Sequence, residues 1–298
     1  MLNFRKVNYD EDLDEIIKLI QANLDSSFTP ELFIWKHLEN PFGKSYGLLA
    51  THEKKIVGLR MFMFWNFYNG NSKNIIKAVR PVDTVVDHSY RGKGLFKKLT
   101  LTGLEECKDE YDLIFNTPNE NSLPGYIKMG WKKIEAVRHF KIALSNPLMR
   151  TVPFDDLDSN MIANIYATNH KSHNTVSNGM IVTKKTLEYF KWRYRSNKYR
   201  IAYFNSEGVY IAYNINSRYL IINEIFGELS NTSFRLLNSL AIKNGKKLLY
   251  FYNQSTMKKL KIPISLNRSK PVVVSKQANA ISGMETIDFS LADLESVF

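Results

Sequence analysis

The stretch DHSYRGKGLFKKL, residues 87–99, puts two glycines and four basic residues at the mouth of an apolar helical stripe. Before it, IIKAVRPVDTVVDH (75–88) reads as a strand, with Pro81 interrupting the ladder near its middle. After it, a helix is expected to run to about Lys108. A chain that leaves a strand, turns on glycines and enters a helix aims several backbone N–H groups at one point. The helix dipole adds partial positive charge there, so an anion is favoured, a phosphate above all. Arg91 and Lys93 add full charges, and an arginine can hold two phosphate oxygens at once. A glycine-punctuated turn with solvated bases would have the same composition. The spacing fits neither G-x-x-x-x-G-K-[ST] nor the three glycines of a dinucleotide fingerprint.

Outward from this turn, DEDLDEIIKLIQANL (10–24) carries Leu13, Ile16, Ile17, Ile20 and Leu24 on one helical face. GLLATHEKKIVGLRMFMFW (47–65) reads as a hairpin around a charged turn, and YDLIFNTP (111–118) as a short buried strand. A second short helix, SLPGYIKMGW, and the stretch WKKIEAVRHFKIAL finish an α+β unit ending near residue 145. SNPLMRTVPFDDLDSN (145–160) has the proline and turn chemistry of a linker. The expected division is a first domain over 1–145, a linker over 146–160 and a second domain over 161–298.

The second domain looks like a worn copy of the first. FIWKHLEN (33–40) and FKWRYRSN (190–197) share Phe, Trp, a base and Asn at an offset of 157. FKKLTLTGLEECKDEYDLIFN (96–116) parallels FRLLNSLAIKNGKKLLYFYN (234–253) at an offset of about 138. Where the first copy has YRGKGLF, the second has GELSNTSF, without the second glycine or the bases.

A chain of 298 residues, 44% hydrophobic and 23% charged, is globular and long enough for two cores. It has no apolar run of the ~18 residues that a membrane span needs. Acids occupy the N-terminal stretch where a signal peptide would be apolar. Cys107 is the only cysteine, which excludes an internal disulfide and a cysteine-rich metal site and fits a reducing cytoplasm. The expectation is a cytoplasmic protein that uses no metal. The net charge of +12 suits nucleic acid, an anionic membrane surface or a polyanionic small ligand. The bases are scattered, with no block of five, which argues against a nucleic-acid face.

VVDHSYRGKGLFKKL resembles the acyl-CoA loop of the GNAT (Gcn5-related) N-acyltransferases, whose pattern is R/Q-x-x-G-x-G/A. Arg91 and Gly94 match, and Phe96 stands where glycine or alanine is usual. NENSLPGYIKMGW (119–131) resembles the family's second signature, N-x-x-x-x-x-x-Y-x-K-x-G-F. There Asn119, Tyr126, Lys128 and Gly130 match, and Trp131 replaces Phe. The resemblance covers about residues 1–145. It implies an α+β fold, a mixed and mostly antiparallel sheet flanked by helices. A degenerate GNAT-like domain without the CoA loop would follow.

The resemblance further implies acyl-CoA as co-substrate and direct attack of a primary amine on its thioester in a ternary complex. Val85, Val86, Arg91, Gly92, Lys93, Gly94, Leu95, Phe96, Asn119, Asn121 and Ser122 would then bind acyl-CoA. The Val86 N–H would polarise the thioester carbonyl, and Tyr126 would protonate the leaving thiolate. Asp83 is the first candidate for a base, or for an acceptor that orients the amine; His88 is the second. Cys107, expected mid-helix, reads as core rather than nucleophile. VDTVVDHSYRGKGLFKKL and WKHLENPFG resemble, more narrowly, the branch that acylates nucleotide-linked amino sugars in bacterial surface-polysaccharide (O-antigen) pathways. Both substrates would be polyanions, which suits the charge. The second domain would help wall the acceptor site, with Trp192, Tyr194 and Tyr199 available to stack on a base. The alternatives are an aminoglycoside, polyamine or protein amine as acceptor, or a non-catalytic binding module on the same scaffold.

Overall fold

The computed structural model describes residues 1–70, 72–135, 137–157, 180–195, 198–227, 229–230, 233–253, 257, 260, 262–276 and 287–294. Two compact units emerge. The first is Met1–Phe67, Ile75–Ile134 and Val272–Met284; the second is Tyr68–Asn74, Glu135–Pro271 and Glu285–Phe298. Among the described residues no helix is long and apolar enough to cross a membrane.

The first unit runs β1 (Leu2–Lys6), α1 (Tyr9–Asn23), α2 (Pro30–His37), β2 (Tyr46–His52), β3 (Lys55–Asn69) and β4 (Ile75–Val86). It continues through α3 (Leu95–Glu106), β5 (Leu113–Asn116), α4 (Leu123–Lys128) and β6 (Lys132–Lys133). The β2–β3 hairpin turns on Glu53 and Lys54, both left-handed at φ 50 and 69, as a tight two-residue turn requires. Helix α2 is not visible as apolar periodicity. Its signal is local: the Thr29 hydroxyl accepts from the Leu32 N–H, and Pro30 opens the first turn.

The first sheet has the order β1-β2-β3-β4-β5-β15-β6, where β15 is Val274–Lys276. Strands β4 and β5 run parallel and pair only at Ala78–Leu113 and Val79–Ile114. On its other edge β5 has β15 as its antiparallel neighbour, with Val274 opposite Asn116. One core cluster holds Leu48, Phe62, Val79, Leu99, Ile114, Tyr126, Trp131 and Val274.

The stretch expected to close the first domain at 145 does not do so. Phe140–Leu144 (β7) lies in the second unit's sheet, and the boundary falls after Ile134. A strand as short as β7 carries no information about which of two sheet edges it completes; that is settled by long-range pairing. The expected linker also contains structure: Asp155–Leu157 is β8, which pairs with β10 (Arg200–Phe204). The stretch is held by the Asn146 N–H on Asn238 Oδ1 at 2.7 Å and the Val152 N–H on Ser239 Oγ at 2.8 Å. Residues 158–179, which include the expected start of the second domain, lie outside the described residues.

The second unit adds β9 (Ile181–Thr183), α5 (Leu187–Arg193), β11 (Val209–Ile215), β12 (Tyr219–Phe226), α6 (Phe234–Lys243), β13 (Leu248–Tyr252), β14 (Ser265–Asn267) and α7 (Leu291–Leu294). Its sheet has the order β14-β7-β13-β12-β11-β10-β8. The succession β10-β11-β12-β13, two antiparallel pairs and then a parallel one, has the same sense as β2-β3-β4-β5. Its register also shifts: Ala212 faces Glu224 while Tyr213 faces Ile222, so Asn223 is the extra residue of a bulge. Of GELSNTSF, Glu228, Asn231 and Thr232 lie outside the described residues. Trp192, Tyr194 and Tyr199 are buried, with Tyr194 edge-on to both Tyr199 and Phe226. They are therefore core and do not present faces to a nucleotide base.

Because Val274 is fully buried in the first unit's cluster, Val274→Asp should place an uncompensated charge there, at about 3–5 kcal/mol. Urea unfolding followed by tryptophan fluorescence should show that loss, Trp131 being in the same cluster.

Candidate active site

Strand β4 carries a kink where the sequence leads one to expect it. Two residues after Pro81, Asp83 adopts φ 44, a left-handed backbone in a residue with a side chain. Such a conformation costs about 1–3 kcal/mol and persists only where its surroundings enforce it. The surroundings here are the last two residues of α2. Lys36 Nζ and His37 Nε2 each lie 2.8 Å from one oxygen of the Asp83 carboxylate. Burial by itself pushes this carboxyl up, but the Lys36 ammonium and the His37 hydrogen bond outweigh it, and the group is held well below the usual carboxylate range.

His37 is fully buried, and burial pulls its pKa down despite Asp83, so the ring is neutral. Its partners then assign the tautomer: Nε2–H donates to Asp83, and Nδ1, 2.9 Å from Ser45 Oγ, accepts from that hydroxyl. With both oxygens engaged and so little proton affinity, Asp83 is a poor base at neutral pH. What the geometry leaves it is a fixed negative charge at the kink. Lys36 and His37 were not legible as site residues. The available signal was two adjacent polar side chains ending the T-P-E-initiated helix, both of which prove buried.

Past the Val79–Ile114 pair, β4 and β5 part. Arg80 reaches across this opening, donating to the Thr117 hydroxyl with its guanidinium 5.7 Å from the Phe115 ring.

The turn after β4 is built from backbone. Val85 is buried, and the Asp87 carboxylate accepts from the Ser89 N–H at 3.0 Å to cap a 3-10 turn at His88–Tyr90. His88 itself is exposed in that turn, and its N–H donates to Asn23 Oδ1 at 3.0 Å. Arg91 turns back on the chain. Its Nε donates to the Val86 carbonyl at 3.2 Å and its Nη2 to the Asn23 carbonyl at 3.0 Å, bracing the turn against the end of α1. Gly92 and Gly94 have φ 76 and 75, and a Cβ added at either would meet nothing within 4 Å. The glycines are thus needed for their backbone conformation, and the space over them is open.

Gly94 stands at the N-cap of α3, where no side chain caps the first turn. Leu95 is buried and anchors the helix, while Lys93, Lys97 and Lys98 are exposed around it. Phe96 points toward α4. Its ring lies against Gly125, where an added Cβ would come within 2.9 Å, and meets Tyr126 edge-on at 5.6 Å. That packing is the physical reason a large side chain is accommodated at this position of the loop.

Tyr126 is buried, at 1% exposure. Asn116 Nδ2 donates to its hydroxyl at 2.5 Å, and Arg60 Nη2 donates to the same oxygen. Two donors fill the acceptor capacity of a phenol, so its own hydrogen is directed elsewhere. Asn119 accepts from the Ser122 N–H at 2.9 Å and orders the start of α4, with Ser122 at its N-cap and Asn121 exposed beside it. Arg60 was missed; the only signal was one base inside the apolar run IVGLRMFMFW. Cys107 sits at the C-cap of α3 rather than mid-helix, and burial, with Glu110 adding to it, pushes its thiol up to about 12. It stays protonated and is no nucleophile.

Residues 3–134 match a family model described as the acetyltransferase (GNAT) domain. No curated protein sequence matches the chain. Among solved structures, a conserved protein of Enterococcus faecalis V583 is 14% identical, with 94% of this chain and 74% of that one covered and a TM-score of 0.72. The GCN5-related N-acetyltransferase of Kribbella flavida is 12% identical over 94% of this chain and 73% of that one, with a TM-score of 0.69. The glucosamine N-acetyltransferase region of a fungal multi-domain GH3 β-N-acetylglucosaminidase is 12% identical, covers 93% and 38%, and has a TM-score of 0.59. At these identities the likeness is one of fold.

The Asp83 pairs set a pH dependence. A carboxyl held below its unfolded value contributes stability that is present above about pH 4 and drains away as pH falls toward the native value. Asp83→Asn should therefore flatten the acid limb of the stability curve; urea midpoints measured from pH 6 downward, about pH 4 being the turning point, would show an unchanged slope if the pairs carried no such free energy.

Proposed function

Proceeding from a GNAT acetyltransferase domain over residues 3–134, we propose that the chain moves an acyl group from acyl-CoA to the primary amine of a nucleotide-linked amino sugar, by direct attack in a ternary complex. The observation that carries the acyl-CoA part is the turn: two left-handed glycines, open space above both, and a helix N-terminus without a side-chain cap, flanked by exposed lysines. Such a cradle favours a pyrophosphate through backbone N–H groups and the helix dipole. Arg91 serves it by bracing the turn, and Lys93, Lys97 and Lys98 supply charge.

The kink at Asp83 falls just before Val85 and Val86. The Val86 N–H then polarises the thioester carbonyl, and the Tyr126 hydroxyl protonates the departing thiolate. Asp83 orients the amine through its charge and does not take its proton. A sugar amine, closer to an α-amino group at about 7.7–8.0 than to lysine, needs only a weak base or a water chain. The amino-sugar acceptor is supported by the narrower sequence resemblance and by the net charge of +12, which suits two polyanionic substrates. The fold also serves a neighbour described as a glucosamine N-acetyltransferase region.

Release of CoA thiol from acetyl-CoA and longer acyl-CoAs, measured against a UDP-linked amino sugar, an aminoglycoside, spermidine and a lysine peptide, tests the acceptor. Release with the sugar and almost none with the peptide is expected; a peptide preference removes the sugar and leaves the transferase. A salt-dependent shift on DNA, without a CoA-induced rise in melting temperature, would instead mark a binding module. Gly94→Val forces a β-branched residue into a left-handed backbone and crowds the turn, and should raise KM for acyl-CoA about tenfold or more. Tyr126→Phe should lower kcat about 10²–10⁴-fold with little change in KM. If it is kinetically silent, a water protonates the thiolate.

A further inference from the structure

Arg60 is a fully buried charge in the first unit that the mechanism above leaves unused. It lies on β3 opposite Leu48, with 1% of its surface exposed. Its guanidinium is 5.9, 5.3 and 5.5 Å from the ring centroids of Phe62, Phe96 and Tyr126. Among the described residues its one hydrogen bond goes to the Tyr126 hydroxyl, and its buried Nε has no partner. Among the described residues no carboxylate pairs with it. Burying an ion without a counter-ion costs several kcal/mol, and aromatic faces return only part of that. An apolar side chain of this size would fill the same cage at no such cost. The charge needs a use.

We propose that Arg60 is a positioning residue for acyl transfer: through its hydrogen bond to Tyr126, with Asn116 as second donor, it fixes the direction of the phenolic proton and carries the negative charge left on that oxygen. This rests on the assignment of Tyr126 as the acid. As the amine nitrogen bonds to the acyl carbon, the carbon–sulfur bond breaks and its electron pair goes to sulfur. The sulfur takes the Tyr126 proton, and the proton released by the amine, through water, returns the phenolate to phenol. Between those two transfers the phenolic oxygen is anionic, and the only cation hydrogen-bonded to it among the described residues is Arg60. A donor in place before charge develops needs no rearrangement in the transition state. The uncompensated guanidinium of the resting enzyme thus becomes one half of an ion pair when the thiolate leaves.

The test uses the full chain with acetyl-CoA and hydroxylamine, a small unprotonated amine that asks nothing of the natural acceptor site. Arg60→Met should lower kcat about 10²-fold, the scale of losing one preorganised donor, with KM for acetyl-CoA within about threefold. Arg60→Lys, which keeps a cation but not the fork, should recover part of the loss, and it serves by itself if the methionine variant does not fold. Arg60→Met and Arg60→Lys should add nothing in a Tyr126→Phe background, because the group they act on is gone. Losses that multiply between the two sites would overturn the proposal, as would a raised KM with kcat intact, which would make Arg60 a binding residue. If Tyr126→Phe alone has no effect, the acid assignment fails, and this inference with it; if Tyr126→Phe is slow and Arg60→Met is not, only the inference fails.

Discussion

A carboxylate clamped between an ammonium and an imidazole holds the first unit's central strand out of its natural line. Asp83 could not keep a left-handed backbone in mid-strand unless Lys36 and His37 made the alternative worse. The clamp joins the end of α2 to the kink, and His37 is held in turn by Ser45. The consequence lies in the sheet. Strand β4 pairs with β5 for two residues, leaves it, and ends in a turn with open space over its two glycines. Backbone strain, ion pairing and the exposed edge of a sheet are parts of one device. It is stable because the pair is sequestered among buried side chains, where an ion pair is strong only when both partners are fixed.

The other fixed point is the phenolic oxygen of Tyr126. It is reached from three elements: α4 supplies the tyrosine, β5 supplies Asn116 and β3 supplies Arg60. Phe96 from α3 and Trp131 after α4 close the ring on its edges. No two of these residues are close enough in sequence to suggest one another, apart from Tyr126 and Trp131. Convergence of this sort fixes one rotamer of the tyrosine and the side of its oxygen that is left for its own hydrogen.

The two units share more than strand order. Tyr194 stands 157 residues after His37, and each ends a short helix of matching sequence. His37 binds the acid at the kink of β4; Tyr194 Oη lies 2.7 Å from Glu224, beside the bulge of β12. Lys185 completes the second cluster as Lys36 completes the first. The clasp between helix end and kinked strand therefore recurs in both units, whereas the R-G-K-G turn exists only in the first.

Local signals were legible without coordinates. The hairpin of residues 47–65, the helices of α1 and α3, the kink near Pro81 and the glycine turn each follow from periodicity, turn chemistry or φ preference, all properties of neighbouring residues. The α+β class and the order from β2 to α4 follow from these; β1 and α2 were not among the elements so read. Three things depended on the tertiary structure. The strand completing the first sheet is Val274–Lys276 rather than Phe140–Leu144, because edge pairing is a long-range choice between strands of similar apolar content. The hydrogen bonds of Arg91 to the Val86 and Asn23 carbonyls join the turn to the end of α1, a contact between segments distant in sequence. Lys36, His37 and Arg60 gain their meaning only from what they face. A residue's type states which chemistry it can do; its burial and its partners, brought from distant parts of the chain, decide which it does.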